Sequence, residues 1–384
     1  MRHLAFSARG TARFDSVFSA AVLASLAWIL VSCSESPSKS EDSGSDEVRA
    51  GTGRIFASVS AAGEVVVLDE QSHMQLGAIP VGKGPAIVVG TPDRSKIYSA
   101  NWGDDTVSAI DAEALSAHSI SMPGRPYVIA ISPDGQRLYA GCSVTNEIVV
   151  IDTADDSLLR RFAMPELPAS IIVSADGATL YVATLGSVIP GIGQPGTIMA
   201  ISSETGETER EPIEVGSVPA WITMRPDGRK VYTLNFLSDD ISVVDTQRWM
   251  VEATIEMGTG TQSIIGNVTP DGSTLYVTNF GTAELVAIDT ATNRIVRTIA
   301  LDGKPVGVNF NADGSRVYVT DFGTQSIGQN PLIGLEYLLT GVYNGGGAGQ
   351  VRAFDTEGGT PVGATASTGP GATSVIVRPA RMAD

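Results

Sequence analysis

The chain has 384 residues, with 25 Lys and Arg against 42 Asp and Glu and a formal net charge of −17. A surface of that sign repels nucleic acid and anionic lipid, which excludes a general nucleic-acid-binding role. Charged residues are only 17%, aromatic residues 6%, and there are 42 glycines, a profile that suits short strands and tight turns better than a helical bundle.

The first element reads as an export signal. Arg2, Arg9 and Arg13 form a positive head, and Val17 to Ser32 then runs without a charge. That run is short for a spanning helix and right for a signal h-region. It ends in Leu30-Val31-Ser32-Cys33, which resembles the lipobox of bacterial lipoproteins. The resemblance implies cleavage before Cys33, acylation of that cysteine and anchorage in a lipid bilayer, since each buried CH₂ contributes ~0.8 kcal/mol. Under the sorting rule of two-membrane bacteria, Ser34 rather than Asp after the cysteine directs the protein to the outer membrane. Residues 34–50 are rich in Ser, Glu and Asp and lack apolar periodicity, so they are expected to form a disordered tether. Fully extended, they reach about 60 Å at ~3.5 Å per residue. The reading is thus a signal peptide over 1–32, a lipidated Cys33 with its tether to residue 50, and a folded body over 51–384. With Cys33 acylated, Cys142 is left alone, which excludes a disulfide framework. It is expected to be a small buried hydrophobe.

The body is a repeat. An aromatic residue in an apolar strand recurs at Phe56, Tyr98, Tyr139, Tyr181, Tyr232, Tyr276 and Tyr318, in steps of 42, 41, 42, 51, 44 and 42. A second strand follows and ends at Asp69, Asp111, Asp152, Ser202, Asp245, Asp289 or Asp355. A third segment leads through small-residue turns to a strand that opens near Pro and closes at Pro-Asp-Gly or a relative, as in Pro126 to Gly135. Four short strands in a period of about 40 residues are the signature of a propeller blade. The sixth repeat carries Tyr276-Val277-Thr278-Asn279, preceded by Thr269-Pro270-Asp271-Gly272 and followed by Val286-Ala287-Ile288-Asp289-Thr290. This pattern resembles the YVTN family of β-propeller repeats over residues 54–378, and the resemblance implies a fold more than a function. The fold class expected is all-β, a seven-bladed propeller. The first repeat lacks a Pro-led strand of its own, and the Pro-led segment from Gly369 to Val377 has no repeat to follow. That last strand is therefore expected to complete blade one and close the ring.

Repeated residues build blades, so the recurrent Asp and Asp-Gly positions are read as turn hydrogen-bonders. Departures from the repeat are the functional candidates. From the strand aromatic to the next Asp is 13 residues in five blades, 21 in blade four and 37 in blade seven. Both insertions, of 8 and 24 residues, fall between the second and third strands, on the face that also carries the connections between blades. The segment Pro331 to Leu339 is expected to form a short helix, as a lid or docking knob or as a loop packed on its own blades. Lys83, Arg125 and Lys304 lie just before the Pro-led strands of blades two, three and seven. Together they could receive an anionic ligand at the funnel mouth, or be solvated or ion-paired. Trp102, Tyr127 and Trp221 depart from the repeat and are further candidates for the funnel.

No catalytic residue is predicted. Beyond the signal only His73 and His118 are present, without a haem attachment motif, a zinc ligand set or a nucleophile elbow. No cofactor or metal is expected. The leading expectation is a monomeric, membrane-anchored binding scaffold presenting one propeller face to a protein partner or a small anionic ligand. The competing one is a periplasmic enzyme, lactonase- or lyase-like, acting on an anionic small molecule in the central funnel.

Overall fold

Each repeat folds as one four-stranded antiparallel sheet. Blade two shows the plan in strands Pro85–Gly90, Lys96–Asn101, Thr106–Asp111 and Ser116–Ser121, paired in that order. The computed structural model describes residues 53–186, 195–322 and 348–380. Among them are seven such sheets and no helix. The signal peptide, Cys33 and its tether, and the cores of both insertions, with the helix expected at Pro331 to Leu339, lie outside the described residues.

Burial follows position in the blade. The first three strands are buried almost throughout, because both faces of each sheet pack against neighbouring blades. The outermost strand buries little more than one side chain, such as Ile79, Ile120, Phe162 or Ile255. The repeated residues that define the sequence pattern are the joints of this packing. The Asp that ends the third strand accepts hydrogen bonds from main-chain N–H groups two or three residues on, as Asp245 does from Gln247 and Arg248, both at 2.8 Å. The Thr after it reaches back to the Pro-Asp-Gly turn. Thr153 donates to the Gly135 carbonyl at 2.6 Å, and Thr290 to the Gly272 carbonyl at 2.6 Å. The strand tyrosine crosses to the next blade. Tyr98 donates to Asp156 at 2.6 Å, and Tyr276 to the Thr356 carbonyl at 2.9 Å.

Seven innermost strands surround the axis and adjoin one another in a closed ring. Their inward edges would leave backbone groups without ladder partners, and side chains of adjacent blades supply some of what is missing. The Val88 N–H donates to the Ser374 hydroxyl at 3.2 Å, and the Ile222 N–H to that of Ser170 at 3.1 Å. Asn267 and Asn309 donate to the carbonyls of Val308 and Val375 at 2.7 and 3.1 Å. The ring closes as expected. Ala372–Arg378 pairs with Arg54–Val59, setting Arg378 opposite Arg54 and Ile376 opposite Phe56. Arg54 and Arg378 are both buried and both donate to the Ala112 carbonyl in blade two, at 2.7 and 3.3 Å.

Candidate functional site

The propeller has two unlike ends. At one end lie the inter-blade connectors and the hairpins between second and third strands. Trp102 and Gly103, in the hairpin of blade two, donate their N–H groups to the carbonyls of Gly84 and Lys83 in the connector. Five blades make this hairpin in four residues, as between Asn101 and Thr106. Blades four and seven span Thr184 to Thr197 and Asp321 to Gln350 in the same register. Both long connections therefore leave from the connector face.

Of the three cations on that face, two share one patch. Lys83 is exposed, and its N–H is held by Asp104 at 2.8 Å. Its carbonyl binds the loop that carries Trp102, and the Arg125 guanidinium stacks on Trp102 at 4.7 Å from the ring centroid. Ser143 donates its N–H to the Arg125 carbonyl at 2.8 Å, and the next residue, Val144, is 66% exposed. Lys304 instead engages blade six. Its ammonium donates to the Gly281 carbonyl at 2.8 Å and lies 5.7 Å from the centroid of Phe280, and burial lowers its pKa. Arg125 on Trp102 and Lys304 on Phe280 are thus one device at two blade junctions, a cation packed on the aromatic that follows the preceding blade's second strand.

The other end of the ring, formed by the turns between first and second strands, opens into a central cavity of ≈ 510 Å³. Trp221 lines it, together with Thr223, Asn267, Asn309 and Phe310. The indole nitrogen of Trp221 is buried with no hydrogen-bond partner among the described residues. Tyr127 is partly buried and packs into the core between blades. Lys83, Arg125 and Lys304 do not line this cavity. Its cation is Arg94, which the reading of connector positions missed. A signal for Arg94 was present. Turns of five other blades carry glycine at the matching position, Gly135, Gly177, Gly228, Gly272 and Gly314, all with φ between 70° and 77°. Blade two has Arg94 there, at φ 56°.

The histidines hold structural places. His118 pairs with Asp156 at 3.0 Å on the outermost strand. His73 is buried in the turn before its outermost strand, with Nδ1 2.6 Å from the Ala364 carbonyl oxygen. Cys142 is fully buried, and burial pushes its thiol pKa up to about 12. Among the described residues no group of three or more His, Cys, Asp or Glu is placed to hold a metal ion, and no helix is long and apolar enough to cross a membrane.

Fold and cavity together define a seven-bladed β-propeller with an axial funnel. No family model matches the chain. It is similar to Antigen Lp49 of Leptospira interrogans serogroup Icterohaemorrhagiae serovar copenhageni (strain Fiocruz L1-130), at 22% identity over 245 residues, 49% of this chain and 54% of that protein. The chain therefore spans about half the length of the curated relative it matches. Among solved structures, a functionally unknown protein from Desulfotomaculum acetoxidans DSM 771 aligns over 85% of this chain and 99% of its own, with TM-score 0.66 and 12% identity. Hydrazine synthase of Kuenenia stuttgartiensis aligns over 71% and 77%, with TM-score 0.57 and 20% identity. Dihydro-heme d1 dehydrogenase NirN, solved in complex with DHE, aligns over 84% and 74%, with TM-score 0.56 and 16% identity. At these identities the likeness shows the fold alone.

Proposed function

We propose that the protein is an envelope lipoprotein, held in a membrane through acylated Cys33, whose propeller serves as a binding scaffold and presents its connector face to a partner. The observation that carries this reading is that both long connections leave from one face. On the same face Arg125 stacks on Trp102 and the next hairpin exposes Val144, and Trp and Arg are residue types that dominate protein interfaces. Similarity to a protein named as an antigen agrees with exposure at a cell surface. The Leu30-Val31-Ser32-Cys33 motif supports the anchor.

Two experiments test the proposal. Cys33→Ala should move the protein from the membrane fraction to the soluble fraction, and a variant that stays with the membrane sinks the anchor. A photo-crosslinking residue placed at Val144 should capture a discrete envelope component in intact cells, whereas one placed at Asp227, on the opposite face, should not. Equal capture from both positions, or none from Val144, refutes the scaffold reading.

A further inference from the structure

Blade two departs from the repeat twice, and the departures fit each other. Five blades end the innermost strand in Ile131, Val173, Met224, Val268 and Phe310, and the closing strand carries Val377 at the matching register. Blade two has Gly90 there, paired with Ile97. A Cβ added at Gly90 would stand 3.2 Å from both Cδ and Nη1 of Arg94 and 3.1 Å from Ile376. Arg94, in turn, replaces the left-handed glycine of the adjacent turn, a backbone region that a side chain with a Cβ rarely adopts. Its guanidinium folds back over the strand end, and Nη1 donates to the Gly90 carbonyl at 3.1 Å. One large apolar side chain has thus been removed and a cation placed against the gap.

Among the described residues no side chain lining the cavity pairs with that cation, and the carboxylate that acts on it electrostatically, Asp93, lies outside the lining. Arg94 is the one charged side chain among the described residues lining the cavity, in a chain of net charge −17. No carboxylate of the described residues forms an ion pair with it. The neighbouring Asp93 turns its Oδ1 to the Thr91 hydroxyl at 2.6 Å and to the Ser95 N–H at 3.1 Å. Removal from water lowers the Arg94 pKa, yet a guanidinium stays charged in a protein. A partly buried, unpaired guanidinium is costly unless an anion meets it, and its planar fork suits the two oxygens of a carboxylate. The remaining walls mix apolar side chains such as Trp221, Ile131 and Phe310 with polar groups, among them the amides of Asn267 and Asn309 and the hydroxyl of Thr223. The volume falls within the range of small-molecule sites.

The geometry points to a binding site for a small organic monocarboxylate in the axial cavity, with Arg94 taking the carboxylate and Trp221, Phe310 and the amides of Asn267 and Asn309 flanking the rest of the molecule. A single cation favours one negative charge over the two of a phosphate monoester. The site opens on the face opposite the long connections, so it does not depend on the scaffold reading.

Isothermal titration of the full chain with acetate, hexanoate, benzoate and indole-3-acetate, against the matching primary amides and inorganic phosphate, tests it. At least one carboxylate should bind about tenfold or more tightly than its amide and than phosphate. Arg94→Gly restores the residue of the other blades, so it should fold with an unchanged or higher melting temperature and lose that binding. Arg94→Lys, which keeps the charge without the fork, should retain only part of it. Carboxylates and amides binding alike, none of the four carboxylates binding, phosphate binding as tightly as the best of them, or unchanged affinity in a folded Arg94→Gly variant would each overturn the assignment.

Discussion

The phenol of Tyr276 donates to the carbonyl of Thr356 at 2.9 Å, across the junction of blades six and seven. The same residue gives the sixth repeat its tyrosine, so a motif letter and an inter-blade bond are one feature. Tyr276→Phe removes the donor and leaves the Thr356 carbonyl to the Arg297 guanidinium, already 3.0 Å away. The expected loss is about 1 kcal/mol in denaturant unfolding. Tyr181 stacks on Trp249 instead, and Tyr181→Phe should cost less.

The latch between Thr290 and Gly272 predicts a larger effect from a smaller change. Thr290 is 1% exposed and its hydroxyl donates at 2.6 Å. Thr290→Val keeps the shape and removes the hydrogen bond, at a cost of about 1–3 kcal/mol if the carbonyl is left unsatisfied. Urea titration of the two proteins reads the difference.

The turn aspartates make the fold sensitive to acid. Asp134, Asp176, Asp271 and Asp313 have pKa values lowered first by a side-chain hydroxyl bond and then by a main-chain N–H, and Asp355 is brought down to about 2. A lowered folded-state pKa contributes stability that is present above the unfolded value of 3.8 and is lost as pH falls through the folded one. Melting temperature should therefore fall steeply between about pH 4 and pH 2. A flat profile there would show that these bonds do not favour the folded state.

Glu70 runs the other way. Burial raises its pKa, and the Tyr318 hydroxyl donates to it at 3.4 Å. Its ionised form opposes folding above the unfolded value of 4.5, and the penalty vanishes below that pH. Glu70→Gln keeps an acceptor without the charge. Its melting temperature should equal or exceed that of the parent at pH 7, with the gap closing as pH falls toward 4.5.

The Cys142 thiol should resist iodoacetamide at pH 8 in the folded protein and react once urea has unfolded it. Its pKa near 12 and full burial both withhold the thiolate. Prompt labelling of the native protein would contradict that environment.

The fold was legible because repetition presents the same physics seven times. The spacing of Tyr98, Tyr139 and Tyr181 marks second strands, and the Asp after each third strand marks a turn, whatever the blade does elsewhere. Ring closure was legible from bookends, a first repeat lacking a strand and a last strand lacking a repeat. The site was harder to read. Connector cations were visible, but the partner of Arg125 is Trp102, a residue of the preceding blade, and that pairing depends on how the blades dock. Arg94 was hidden by its position in a turn that looks structural everywhere else. Only alignment of the turns shows it standing where glycine belongs, and only the folded ring shows that Gly90 makes room for it.

Pairing of Arg54–Val59 with Ala372–Arg378 has a consequence for the order of assembly. Ribosomes deliver the earlier strand first, and it must wait for nearly the whole domain before its mate exists, whereas each other blade is contiguous and can form locally. Closure is then the pairing of longest sequence separation, the one that converts an arc into a circle. A product truncated before residue 372 would keep six blades and expose a naked edge, a ready template for another chain's strand. On that geometry the last strand covers the one edge that the rest of the ring leaves open.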